Sequence, residues 1–122
     1  STINTPSMLA TEDYIAALEW AKSIGGRKAL IERANANAKI VKDWIEATPW
    51  LRNMASDPAQ QTNTGVCMVF QGEWYDSLSA EDKAGVPKKI VKLLEERNVG
   101  YDFNGYRDAP PSLRIWCGST VE

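Results

Sequence analysis

The sequence contains no histidine. That removes the commonest general base and the commonest metal ligand. It has only two cysteines, Cys67 and Cys117, far apart and without metal-site spacing. Both lie in apolar runs, so buried free thiols are expected rather than a disulfide framework, and a reducing cytoplasm is the natural setting. Neither sign of charge dominates: 14 basic and 16 acidic residues leave a net charge of -2. No basic field therefore argues for nucleic acid. No apolar run reaches membrane length, and no targeting pattern is present. A glycine-rich phosphate loop, a nucleophile–base pair, an internal repeat and a low-complexity tract are all missing. The residues do not spell a self-sufficient catalyst, and no catalytic or metal-binding residue is assigned among them.

What is there fits one soluble domain spanning 1–122, with 43% hydrophobic and 25% charged residues. Five tryptophans are many for 122 residues. Some are expected in a core and some against a partner.

Ser1–Asn4 carries no cap and no methionine start, and reads as part of something longer. Thr5-Pro6 reads as a helix start, with Thr5 as N-cap and Pro6 in the first turn, where its missing N–H costs nothing. The spacing of Leu9, Tyr14, Ala17, Leu18 and Ala21 predicts an amphipathic helix to about Ser23. Thr11 offers a rival start one turn later. Gly25-Gly26 ends that helix with a left-handed residue. A second helix follows over about Arg27–Ala47, with Leu30, Ala34, Ala38, Val41 and Ile45 on one face. Leu51–Met54 reads as a short edge strand, Asp57–Asn63 as loop, and the wholly apolar Thr64–Phe70 as a central strand. Gln71–Ser79 reads as loop, with a turn of helix possible after Ser79. Pro87–Asn98 is expected to be a third helix, with Ile90, Leu93 and Leu94 inward. Tyr101–Phe103 is expected to be a strand, and Asn104-Gly105 a turn. The terminal Ser119–Glu122 reads as a cap and first turn. The sum is an α+β two-layer sandwich: a small, mainly antiparallel sheet with helices packed on one face.

Two arginines stand apart from this scheme, in Tyr106–Gly118 (YRDAPPSLRIWCG). Strand alternation puts Leu113, Ile115 and Cys117 on one face and Arg114 with Trp116 on the other. A guanidinium in a strand needs a partner, because burying it unpaired is costly. A structural ion pair or a wet sheet face is the simplest account. An anionic ligand gripped by the planar fork is the other. Pro110 and Pro111 stiffen the link from Arg107 to Arg114, which suits a ligand with two separated anionic ends. Such a role requires Arg114 to open on a cleft rather than be consumed by an internal carboxylate.

Ile3–Met8 (INTPSM), Ser23–Gly26 (SIGG) and Tyr106–Glu122 (YRDAPPSLRIWCGSTVE) together resemble the C-terminal part of the phosphoserine aminotransferase family, class V pyridoxal-phosphate enzymes with the aspartate-aminotransferase fold. The likeness keeps its order along essentially the whole chain. It implies amino transfer between glutamate and phosphohydroxypyruvate, serving serine and pyridoxine biosynthesis, in a cytoplasmic homodimer with sites at the subunit boundary. It implies pyridoxal 5'-phosphate in the full-length enzyme, with Asn4 and Thr5 reaching the cofactor phosphate of the neighbouring subunit. A helix N-terminus suits such an anion, although Thr5 could equally be only a cap. Arg114 matches the family arginine that grips the substrate carboxylate, and Arg107 matches one that meets the substrate phosphate. Members more often carry His-Arg at this point and a spacing one residue shorter. Tyr106 could lend its hydroxyl there or simply pack. The cofactor-anchoring lysine is expected in a large domain absent from these residues, which leaves this piece inactive alone. The eight lysines here, Lys22, Lys28, Lys39, Lys42, Lys83, Lys88, Lys89 and Lys92, read as solvated surface charge. Two other readings remain: a non-catalytic α+β module for a dianionic metabolite or a protein, and another class V enzyme such as a serine–glyoxylate aminotransferase.

Overall fold

The computed structural model of the protein describes Thr5 and residues 7–121. Helix α1 (Met8–Ser23) is followed by α2 (Gly26–Glu46), strand β1 (Leu51–Asn53), a 3-10 turn (Pro58–Gln60) and β2 (Gly65–Phe70). Then come the one-turn helix α3 (Glu73–Asp76), α4 (Ala80–Glu96) and β3 (Ser112–Trp116). The strands form one three-stranded antiparallel sheet in the order β1-β2-β3. The apolar β2 run is therefore central, as its lack of alternating polar residues demands.

Register decides the faces. Leu51 pairs with Phe70, Met68 with Leu113 and Val66 with Ile115, so these side chains share one side of the sheet. That side meets Ala38 and Ile45 of α2, Tyr75 of α3 and Val91 of α4 in a single core that also holds Cys117. Helices on one face of a small antiparallel sheet match the expected α+β arrangement. On the opposite face lie Arg52, Cys67, Arg114 and Trp116, by the same register.

Several local expectations need correction. The cap of α1 is Ser7, whose Oγ accepts from the Ala10 N–H at 3.3 Å, and not Thr5. Ser7 offers the same hydroxyl two residues closer to the apolar run. The stripe on α1 is not a core face: the helix has no buried residue, and Leu9, Tyr14 and Leu18 stay exposed. Arg33 of α2 lies 5.9 Å from the Trp20 ring centre and ties the two helices together. Helix α4 begins at Ala80, a full two turns before Pro87. Ser79 caps it, its Oγ accepting from the Asp82 N–H at 3.1 Å, with Glu81 and Asp82 favourable in the first turn. Pro87 is carried inside the helix and buried, so cap and packing override its lost N–H. Val91, rather than Leu93, is the buried residue of that face.

Tyr101–Phe103 is not a strand. Asp102 has φ 57°, a left-handed backbone that ends any extended run. The segment touches β3 through one bridge, Asn104 with Leu113, flanked by Arg114 N–H to Phe103 O at 2.9 Å and Gly105 N–H to Ser112 O at 3.1 Å. The turn falls at Tyr106–Ala109, closed by the Ala109 N–H to Tyr106 O at 3.1 Å, not at Asn104-Gly105. Gly105 answers a steric need instead: a Cβ there would stand 2.1 Å from Ser112 Oγ. The tail after β3 is a turn pinned to α2, with Arg33 Nε donating to Ser119 O at 2.8 Å and Asn37 Nδ2 to Val121 O at 3.1 Å.

The asymmetry of burial predicts an asymmetry of mutation. Met68→Ala in the fully buried centre should cost about 2–5 kcal/mol by urea unfolding of the chain, and Leu18→Ala on α1 within about 0.5 kcal/mol. Burial also pushes the Cys117 thiol and the Tyr75 phenol above their ordinary pKa values. The folded state thus holds these protons longer than the unfolded chain. That stability is present below the unfolded values, about 8.5 and 10, and is lost as pH rises past them. The urea midpoint should fall between about pH 8 and pH 10.5.

Candidate functional site: the uncovered face of the sheet

Arg114 occupies the middle of β3, directly opposite Cys67 of β2. Its alternation partners Leu113 and Ile115 are drawn to the helices, so the guanidinium is delivered to the other side. There it is half-buried, with 28% of its side chain accessible, and Nη2 donates to Asp102 Oδ2 at 3.1 Å. Asp102 itself is 83% accessible. Such a solvent-facing pair, made through one nitrogen, is worth little and is easily exchanged. The Tyr106 ring lies against the guanidinium, 4.8 Å from Cζ to the ring centre. The Tyr106 side chain, and behind it the Asp102 carboxylate, raise the Arg114 pKa above its ordinary value, against partial desolvation. The fork is therefore permanently charged. Arg114 also lines an open depression with Asp102, Phe103 and Trp116. Both conditions set by the sequence are thus met in part: one prong has an internal carboxylate, and the group still faces a cleft.

Arg107 stands exposed in the Tyr106–Ala109 turn. It lines a second depression of about 670 Å³, between that turn, Pro110-Pro111 and Pro87-Lys88 of α4. The structure does not bring Arg107 and Arg114 into one depression. Tyr106 is their common neighbour, lining the second while its ring covers Arg114. It is not a core aromatic, and it remains 59% exposed.

Thr5 is exposed and lies ahead of the α1 cap, while Asn4 falls outside the described residues. No described lysine is buried, and six of the eight are fully exposed, with Lys42 and Lys83 half-buried. None lies in an apolar enclosure. Among the described residues there is no cluster of metal-ligating side chains, and no helix is long and apolar enough to cross a membrane. Both cysteines are free thiols, but only Cys117 is buried as expected; Cys67 is half-buried.

Asp102 is the residue that sequence reading missed. Its signal was faint: an aspartate two residues after Gly100, in a turn-prone stretch, where a left-handed backbone is tolerated. Its pairing with a residue twelve positions on needs the fold.

No family model matches the chain. Similarity to individual proteins is extensive. An enzyme of Methanosarcina mazei is 43% identical over all 122 residues, and one of Methanosarcina barkeri 44% over the same 122. A protein of Phocaeicola vulgatus is 27% identical over 100 residues, 82% of the chain. All three are aminotransferases. More narrowly, all three are phosphoserine aminotransferases, and the chain is homologous to their C-terminal part. It spans 30% of the length of the two Methanosarcina relatives.

The Cys67 thiol gives a local probe of this face. Burial pushes its pKa up, and the Arg114 charge opposite pulls part of that back. Replacing Arg114 with methionine should raise the pH midpoint of Cys67 alkylation further, followed by mass spectrometry of the modified peptide. A midpoint that falls or stays put would mean that Arg114 does not sense this side of β2.

Proposed function

We propose that this chain is the substrate-gripping C-terminal domain of an enzyme that moves an amino group between glutamate and 3-phosphohydroxypyruvate to make phosphoserine. The reading rests above all on one observation: a guanidinium with prongs to spare, facing a cleft on the uncovered sheet face, in a chain homologous throughout to phosphoserine aminotransferases. In this reading Arg114 holds the α-carboxylate common to both amino acids, its fork suited to two parallel hydrogen bonds. Arg107 meets the phosphate. A second cation suits a substrate with two separated anionic ends, the phosphate of phosphoserine or the side-chain carboxylate of glutamate, and is not needed for a monoanionic one such as glyoxylate.

Pyridoxal 5'-phosphate, when bound in the full-length protein, supplies the electron sink for amino transfer. The described lysines do not fit the anchoring role, for want of an apolar pocket. That group belongs to another part of the enzyme, and the chain alone is inactive. What its residues do is bind and orient. Asn4 and Thr5, ahead of the free N–H groups of α1, would reach the cofactor phosphate of a second subunit in a cytoplasmic homodimer. The exposed apolar residues of α1 suit coverage by the rest of such an assembly.

In the full-length protein, Arg114→Ala should lower kcat/KM for phosphoserine by roughly 3 kcal/mol, about a hundredfold, in a coupled transamination assay. Arg107→Ala should hurt phosphoserine more than glutamate. Unchanged kcat/KM in Arg114→Ala would remove that residue from the site. Tight calorimetric binding of phosphoserine to the 122-residue chain alone would favour a self-contained binding module instead.

A further inference from the structure

The single-nitrogen contact between Arg114 and Asp102 has a geometry that a structural ion pair does not need. A carboxylate and a guanidinium can meet through two parallel hydrogen bonds. Here only Nη2 engages, at 3.1 Å, and only Oδ2 accepts. The carboxylate comes from a coil segment, on a residue with a left-handed backbone that aspartate tolerates better than most side chains. The Phe103 carbonyl, immediately after it, is tied to the Arg114 N–H at 2.9 Å, so the segment is fastened beside β3 while the acid itself stays in solvent. Asp102 lines the same depression as Arg114.

We propose that Asp102 is an internal stand-in for the substrate carboxylate: it occupies one prong of Arg114 in the empty site and is displaced when substrate docks. The inference rests on the reading of Arg114 as the carboxylate-binding residue. An exposed acid held through one hydrogen bond competes weakly with a ligand that can take two. The Tyr106 ring still covers one face of the guanidinium when the acid leaves. Asp102 thus tunes affinity by competition, touching neither the cofactor nor the reacting carbon. Its exchange concerns the carboxylate end alone, since Arg107 lines a different depression.

The test uses the full-length enzyme and two substitutions measured together. Asp102→Asn keeps the shape and removes the competing charge. The expected result is a two- to fivefold fall in KM for both phosphoserine and glutamate, with kcat within a factor of two. The inhibition constant of inorganic phosphate should not move, because phosphate binds at the other end. Asp102→Ala should shift KM in the same direction, which guards against an effect peculiar to the amide. A KM that rises in Asp102→Asn, or one that stays unchanged, overturns the proposal, the first by showing that the acid only props Arg114 up. A fall in the phosphate inhibition constant equal to the fall in KM also overturns it, as a general field effect. Arg114→Ala separates the two levels. If Arg114→Ala raises KM while Asp102→Asn does nothing, the stand-in idea fails and the carboxylate site survives. If Arg114→Ala leaves KM unchanged, the site reading itself fails.

Discussion

A guanidinium cannot be left unpaired in an apolar core, and that prohibition organises this domain. Arg114 sits in the middle of a strand whose neighbours Leu113 and Ile115 belong to the core cluster or pack against it. A strand allows only one resolution, since a one-residue step reverses the face. The helices therefore take one side of the sheet, and the other stays open around Arg114, although Val69 and Ser112 on that side are buried. Cys67, Trp116 and Arg52 share that other side by register, whatever their own preferences. A three-stranded sheet sealed on both faces would have to exclude this arginine or match it with a buried acid.

The open face is then shaped by what lies beside β3. Coil residues 101–105 run along the strand without becoming one, because Asp102 takes a left-handed backbone. That kink delivers a carboxylate to the arginine from the side. The turn at Tyr106–Ala109 delivers a ring to its face and leaves Arg107 pointing into a separate depression. Gly105 permits the close approach to Ser112 that brings the turn over the sheet. The two cations of the YRDAPPSLR stretch are consequently divided between two concavities, and a ligand spanning them would have to reach across Tyr106. In the homologous aminotransferases the matched stretch is 30% of the chain. Helix α1 buries no residue and leaves Leu9, Tyr14 and Leu18 exposed.

Strong periodicity was legible and weak signals were not. The second helix, the central strand and the facing of Arg114 followed from spacing alone, because core burial enforces period 3.6 or period 2 on whichever residues are apolar. The start of α4 was misplaced because proline was read as a first-turn residue. Its cost inside a helix was outweighed by the Ser79 cap and by burial of Pro87 and Val91, neither of which local propensity weighs. Asn104-Gly105 carried a turn signal of ordinary strength, yet the glycine served a contact with Ser112, eight positions from Asn104 in sequence and adjacent only in space. The α1 stripe was read as apolar, and the structure leaves it exposed, since periodicity reports that a face wants cover, not what supplies it.

What the sequence determined by itself is the layering and the side of the sheet on which Arg114 must stand, because hydrophobic burial and strand alternation act on residues close in the chain. What only the tertiary structure decided is the company that Arg114 keeps. Asp102 and Tyr106 reach it through a left-handed residue and a turn, and their contacts are set by distances across the fold. No local pattern encodes a single hydrogen bond between two charges twelve residues apart, since its energy is too small to select the backbone that makes it.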